Sequence, residues 1–120
     1  MKKKTLVLGA SLKKEKYANL VIHKLVNQGF DVVAFGLKKG EVAGVTISTE
    51  LVFYKDIDSV TLYVNPENQK MYYNYVVSLK PNRVIFNPGT ENPEFYAILK
   101  EHHIFFEIAC SLVLLSTNQY

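Results

Sequence analysis

A chain of 120 residues is sized for a single domain, 1–120, with one core and little else. Its apolar fraction of 48% and charged fraction of 21% are those of an ordinary globular protein, and no run approaches the ~18 apolar residues of a membrane span. The net charge of +3 hides an asymmetry, because residues 1–40 carry nine lysines against Glu15 and Asp31 while residues 41–120 carry five basic and nine acidic side chains.

In chain order, residues 4–8 read as a buried strand. Residues 17–28 read as a helix, with Ala18, Val21, Ile22 and Leu25 recurring at helical spacing, and Gly29 stands where a left-handed cap is wanted. A second strand follows at 31–35. Residues 40–58 are irregular, with a short edge strand around 45–47. The third strand is 59–64. Asn65-Pro66-Glu67 opens a helix: Asn caps, Pro suits the first turn and Glu complements the dipole. Its buried stripe is Tyr72, Tyr75, Val76 and Leu79, and Pro81 ends it. The fourth strand is 83–86. Asn92-Pro93-Glu94 repeats the helix start, running to about Lys100. Residues 104–106 form the fifth strand, and a short apolar helix, 109–115, closes the chain.

Strands and helices that alternate, with near-continuous apolar strands, specify an α/β fold: a three-layer, Rossmann-like parallel sheet with helices on both faces. Short connections and right-handed crossovers favour the strand order 3-2-1-4-5. In such a sheet a ligand sits beyond the carboxyl ends of the strands. Those ends read Gly9-Ala10-Ser11, Gly36-Leu37-Lys38-Lys39-Gly40, Val64-Asn65-Pro66 and Asn87-Pro88-Gly89-Thr90. Small residues admit a ligand close to the backbone, and hydroxyls, amides and ammonium groups stand among them. The crevice is expected between Gly9-Ala10-Ser11 and Asn87-Pro88-Gly89, beneath the first helix. Ser11 has the strongest claim, because helix N-termini bind anions, and Lys13, Lys14 and Lys16 stand ready for phosphate.

The ligand class narrows by what is missing. A dinucleotide fingerprint needs Gly-x-Gly-x-x-Gly and an acidic residue ending the second strand. Here one glycine of the three is present, and the second strand ends in Gly36 followed by Lys38 and Lys39. Two ammonium groups in place of a carboxylate suit a phosphorylated ribose, as in NADP or coenzyme A; an NADP enzyme usually keeps the glycine pattern, so CoA is favoured. A Walker A loop is absent, which argues against an ATPase.

These residues carry a resemblance. "VLGAS", "EKYAN", "KKGEVAGV", "YVNPENQ", "NPGTENPE" and "ACSLVLLS" make the chain similar to the small stand-alone CoA-binding proteins, and to the CoA-binding domain of the succinyl-CoA synthetase alpha subunit. The match covers nearly the whole chain in order, and "NPGTENPE" is its most specific part. It departs at Leu12-Lys13-Lys14-Glu15, where many relatives have a proline. The resemblance implies a Rossmann-like fold binding CoA or an acyl-CoA. Gly9, Ala10 and Ser11 would touch the CoA phosphates, with Lys16 and Tyr17 nearby. Gly36, Lys38 and Lys39 would hold the adenosine end; Val64, Asn65 and Pro66 the adenine or pantetheine side; Asn87, Pro88 and Gly89 complete the set. The histidine domain through which synthetases transfer phosphate has no counterpart here.

The remaining reactive side chains read as structural. Cys110 alone excludes an internal disulfide, fits a reducing compartment and reads as a buried thiol. Metal-spaced Cys/His clusters are absent. His23 falls on the polar face of the first helix, and His102 and His103 lack a fixed nucleophile or orienting acid. The Met-Lys-Lys-Lys start is followed by an apolar run of 6–8 only, too short for a signal peptide, so a cytoplasmic location is expected. Basic stretches without interleaved exposed aromatics argue against nucleic acid. Tyr72, Tyr73 and Tyr75 are expected to pack on the sheet or on a second copy, so a homodimer or a partner enzyme is the expected macromolecular contact. Two functions stand: non-catalytic binding of CoA or an acyl-CoA, and an NADP-dependent oxidoreductase or other nucleotide-dependent enzyme on the same fold. The first is favoured because no paired acid and base, nor nucleophile and base, is evident.

Overall fold

The computed structural model describes residues 3–120; Met1 and Lys2, part of the basic start, lie outside them. The strands are β1 (Lys4–Ala10), β2 (Asp31–Gly36), β3 (Gly40–Val42), β4 (Val45–Ser48), β5 (Ile57–Leu62), β6 (Arg83–Phe86) and β7 (Phe106–Ile108). The helices are α1 (Tyr17–Asn27), α2 (Pro66–Gln69), α3 (Tyr73–Leu79), α4 (Pro93–Glu101) and α5 (Ser111–Ser116), with a 3-10 turn at Lys70–Tyr72 between α2 and α3.

The strands form one sheet of order β3-β4-β2-β1-β5-β6-β7. All pairings are parallel except the β3–β4 hairpin. Alternation along β1 divides the core in two. Leu6 and Leu8 face α3 and α4, where Val76, Leu79, Phe95 and Leu99 are buried. Val7 faces α1 and α5, against Val21, Ile22, Leu25 and Leu115. Helices therefore cover both faces, as the near-continuous apolar strands require. Each fully buried aliphatic side chain contributes about 1.5–3 kcal/mol relative to exposure.

The expected order 3-2-1-4-5 is corrected. It placed the strand after residue 58 beyond β2 at the edge, whereas β5 pairs with β1 on the side opposite β2. The edge beyond β2 is taken by the β3–β4 hairpin, because Ala34 and Phe35 already pair with Ile47 and Ser48. With that side occupied, the next strand takes the free side of β1. The last strand also lies two residues later than expected. The turn that ends α4, with His103 at φ 59° and the Ile104 N–H bonded to the Leu99 carbonyl, takes up residues 102–104.

The paired Asn-Pro-Glu signals act as caps. Asn65 Oδ1 accepts from the Asn68 N–H at 3.0 Å, and Asn92 Oδ1 from the Phe95 N–H at 3.4 Å. The helix expected after Asn65 is broken into α2, the 3-10 turn and α3. The break falls where Gln69 and Tyr72 are both buried, on opposite sides of the exposed Lys70 and Met71. Tyr75, expected in the buried stripe, is only half-buried, and its hydroxyl donates to the Val52 carbonyl at 2.7 Å.

Candidate functional site

A cleft of about 650 Å³ opens at the carboxyl ends of β1, β2 and β5. Two glycines shape its base. Gly9 has φ +101°, and a Cβ there would lie 2.9 Å from the Tyr63 carbonyl carbon and oxygen. The register of β1 against β2 shifts at this point, between Leu8 and Ala10. At Gly36 a Cβ would stand 2.5 Å from the Ala10 carbonyl oxygen and 3.0 Å from Ile47 Cγ2. Both positions therefore need the smallest residue so that three strand ends can close together and leave their backbone bare to a ligand.

The floor is Phe35 and Tyr72, both buried, with ring centroids 5.5 Å apart in an edge-to-face pair. The walls carry Ser11, Lys13, Lys38, Asn65 and Asn68, and the mouth is ringed by the exposed apolar side chains of Leu12, Leu37 and Met71. Ser11 is tied down from both sides: its Oγ accepts from the Lys13 N–H at 3.1 Å, and its carbonyl accepts from the buried Asn19 amide at 3.0 Å. The loop between β1 and α1 thus has a defined path in spite of its four lysine-rich, exposed positions. No side chain caps the α1 N-terminus and no acidic residue stands in its first turn, so its dipole is left to whatever anion approaches the lysines of that loop. The lining holds two ammonium groups, one aliphatic hydroxyl and two amides, but no Asp, Glu, His or Cys. Such a surface attracts and orients an anion; it offers no carboxylate or imidazole to move a proton.

Of the residues singled out from the sequence, Gly9, Ala10, Ser11, Gly36, Lys38, Val64 and Asn65 line this cleft together. Lys16, Tyr17, Lys39, Pro66, Asn87, Pro88 and Gly89 do not. The crevice is therefore displaced from its expected place between the β1 and β6 turns: β5 stands between them, and the opening lies among β1, β2 and β5. Asn87 is turned inward. Its amide donates to Thr61 Oγ1 at 2.7 Å and to the Leu62 carbonyl at 2.8 Å, and its oxygen accepts from the Ser111 N–H at 2.8 Å. Phe35, Leu37, Tyr63, Asn68, Met71 and Tyr72 line the cleft without having been singled out as ligand contacts. For three of them a signal exists: Asn68, Met71 and Tyr72 stand three and four residues apart after the Asn-Pro start, on one helical face.

Beside the cleft the Tyr63 hydroxyl is buried. It makes no hydrogen bond of good geometry, although the Thr61 and Ser111 hydroxyls lie alongside, and burial pushes its pKa far above the ordinary tyrosine value. Cys110, expected to be buried, is partly exposed at the N-terminal end of α5. His23, His102 and His103 are exposed, and no group of His, Cys, Asp and Glu among the described residues is arranged to hold a metal.

Residues 3–116 match the model of a family described as a CoA binding domain. The chain belongs to that family. Among solved structures, the CoA-binding-domain chain is similar to an uncharacterized protein of known crystal structure, at 49% identity over 100% of this chain and 99% of the other, with a TM-score of 0.96. It is also similar to a hypothetical protein from Pyrococcus horikoshii OT3 (28% identity, 97% and 83% coverage, TM-score 0.86). A protein from Thermus thermophilus, cell-free ID.343, shares the fold at 24% identity, with 99% and 91% coverage and a TM-score of 0.85. A search of curated proteins finds no match. No helix among the described residues is long and apolar enough to cross a membrane.

Proposed function

We infer that the protein binds coenzyme A or an acyl-CoA in this cleft without transforming it. The observation that carries the reading is the combination of Gly9 and Gly36, which bare the strand ends, with Lys13 and Lys38 on the walls of the same cleft. Membership of the CoA-binding-domain family supplies the ligand class.

In this reading the pyrophosphate lies over Gly9, Ala10 and Ser11, within reach of Lys13. The adenosine end lies over Gly36 and Leu37, with its 3′-phosphate toward Lys38, and the pantetheine arm runs along Val64 and Asn65. Lys16 at the N-terminus of α1, together with Lys39, contributes to the field that draws the polyanion in rather than to contact with it. A lining without carboxylate, imidazole or thiol supports binding without acid–base chemistry.

Calorimetry with CoA, dephospho-CoA, NADP and NAD at two salt concentrations tests the reading. CoA should bind most tightly, and dephospho-CoA should lose affinity that added salt also removes. Micromolar NADP binding with no CoA binding would transfer the assignment to the oxidoreductase reading.

A further inference from the structure

Beyond the ladder of β5 and β6, which ends at the Leu62–Phe86 pair, the two strands diverge into loops of different character. The loop after β5 forms a wall of the cleft through Tyr63, Val64 and Asn65. The loop after β6, residues 87–92, does not line it. One side chain joins them. Gln69, at the end of α2, is fully buried. Its amide donates at 2.8 Å to the Val64 carbonyl and at 2.8 Å to the Thr90 carbonyl. Its oxygen accepts at 2.9 Å from the amide of Asn92. Both amide protons and one acceptor site are thus used, in a place with no access to water.

The chain of contacts continues outward. The Asn92 amide also donates to the Tyr73 hydroxyl at 2.8 Å, the Tyr73 hydroxyl donates to Glu94 at 3.0 Å, and Asn92 is the N-cap of α4. Thr90 is itself held to Asn87 through its N–H and its hydroxyl. The buried part of this network, Gln69, Thr90 and Asn92, resists partial loosening, because any of these that moves leaves polar groups unpaired.

We propose that Gln69 is a positioning residue that couples occupation of the cleft to the order of the loop after β6 and of the α4 N-terminus. The proposal rests on the ligand reading above for its probe, and on the three Gln69 hydrogen bonds for its mechanism. A ligand that packs against Val64 and Asn65 restrains the wall; Gln69 passes that restraint to Thr90 and Asn92, so a surface remote from the ligand stiffens when the cleft fills.

Three hydrogen-bonded amides report on the device: Asn68 on the cleft side, and Thr90 and Tyr96 beyond it. Native-state hydrogen exchange is measured with and without CoA in the wild type, in Gln69→Met and in Asn92→Ser, alongside CoA affinity. In the wild type CoA should slow all three amides. In Gln69→Met it should still slow Asn68 but no longer Thr90 or Tyr96, with affinity down about tenfold. Asn92→Ser, which keeps a capping oxygen and removes the amide donor, should lose the slowing at Tyr96 and keep it at Thr90. This variant also serves if Gln69→Met fails to fold.

Slowing at Thr90 and Tyr96 that survives in both variants, or that is missing in the wild type while Asn68 slows, overturns the proposal. If CoA slows none of the three in the wild type, the ligand reading has failed. The clamp is then read without ligand: Gln69→Met speeding Asn68 and Thr90 together supports it, and speeding one alone refutes it.

Discussion

Replacing Gly36 with alanine should injure both the fold and the cleft, by an amount the geometry allows to be worked out. The added Cβ would stand 2.5 Å from the Ala10 carbonyl oxygen and 3.0 Å from Ile47 Cγ2. An ordinary contact needs about 3.4 Å, so β1 and β2 must part by about 0.9 Å at the base of the cleft. The obstacle is a backbone carbonyl held in the sheet, not the far end of a flexible chain, and Ile47 blocks escape on the other side. Overpacking of a fixed core costs about 1–3 kcal/mol, and the upper end of that range applies here. Urea unfolding followed by circular dichroism measures it. Gly89→Ala is the control: that glycine has φ +91° and nothing within 4 Å of an added Cβ, so it should show only the left-handed backbone cost of about 1–2 kcal/mol. CoA affinity should fall in Gly36→Ala and not in Gly89→Ala. A loss under about 0.5 kcal/mol for Gly36→Ala, the usual scatter of harmless substitutions, would refute the steric argument.

Lys38→Ala should weaken CoA by about two- to fivefold at low salt, the worth of one exposed ion pair, and should leave dephospho-CoA unchanged in calorimetry; Lys39→Ala should do less. Asn87→Ala should cost about 2–4 kcal/mol in denaturant unfolding, because it takes the Asn87 partner from the Leu62 carbonyl and the Ser111 N–H in the interior and leaves Thr61 Oγ1 with the Ser111 hydroxyl alone. Ala43 sits at φ 52° before Gly44 in the β3–β4 turn and is exposed, so Ala43→Asn should raise stability by about 0.5–1 kcal/mol, seen as a higher urea midpoint. Burial pushes the Tyr63 phenol up, and Tyr75 is pushed up to about 12. Their folded pKa values lie above the unfolded value of about 10, so this stability is fully present below pH 10 and is lost as pH rises from there toward 12. Urea midpoints measured across that window should fall, and Tyr75→Phe should flatten the decline.

The sequence by itself was enough for what depends on neighbours along the chain. The spacing of Ala18, Val21, Ile22 and Leu25 located α1, and Asn65 and Asn92 marked two helix starts, because a cap bonds only to its own first turn. It also pointed to Gly9, Ser11, Gly36 and Lys38, which line the cleft, since strand ends are local features of the chain. Tertiary structure decided the rest. The short edge strand around 45–47 was legible, but four residues do not say which strand they join, and the pairing of β4 with β2 takes one side of the sheet and moves β5 to the other. Asn87 looked like a ligand contact because nothing near it in the chain says which way its amide turns. Thr61 lies 26 residues before it and Ser111 24 after it. Only packing brings those two partners to Asn87, and a buried amide must take the partners that packing provides.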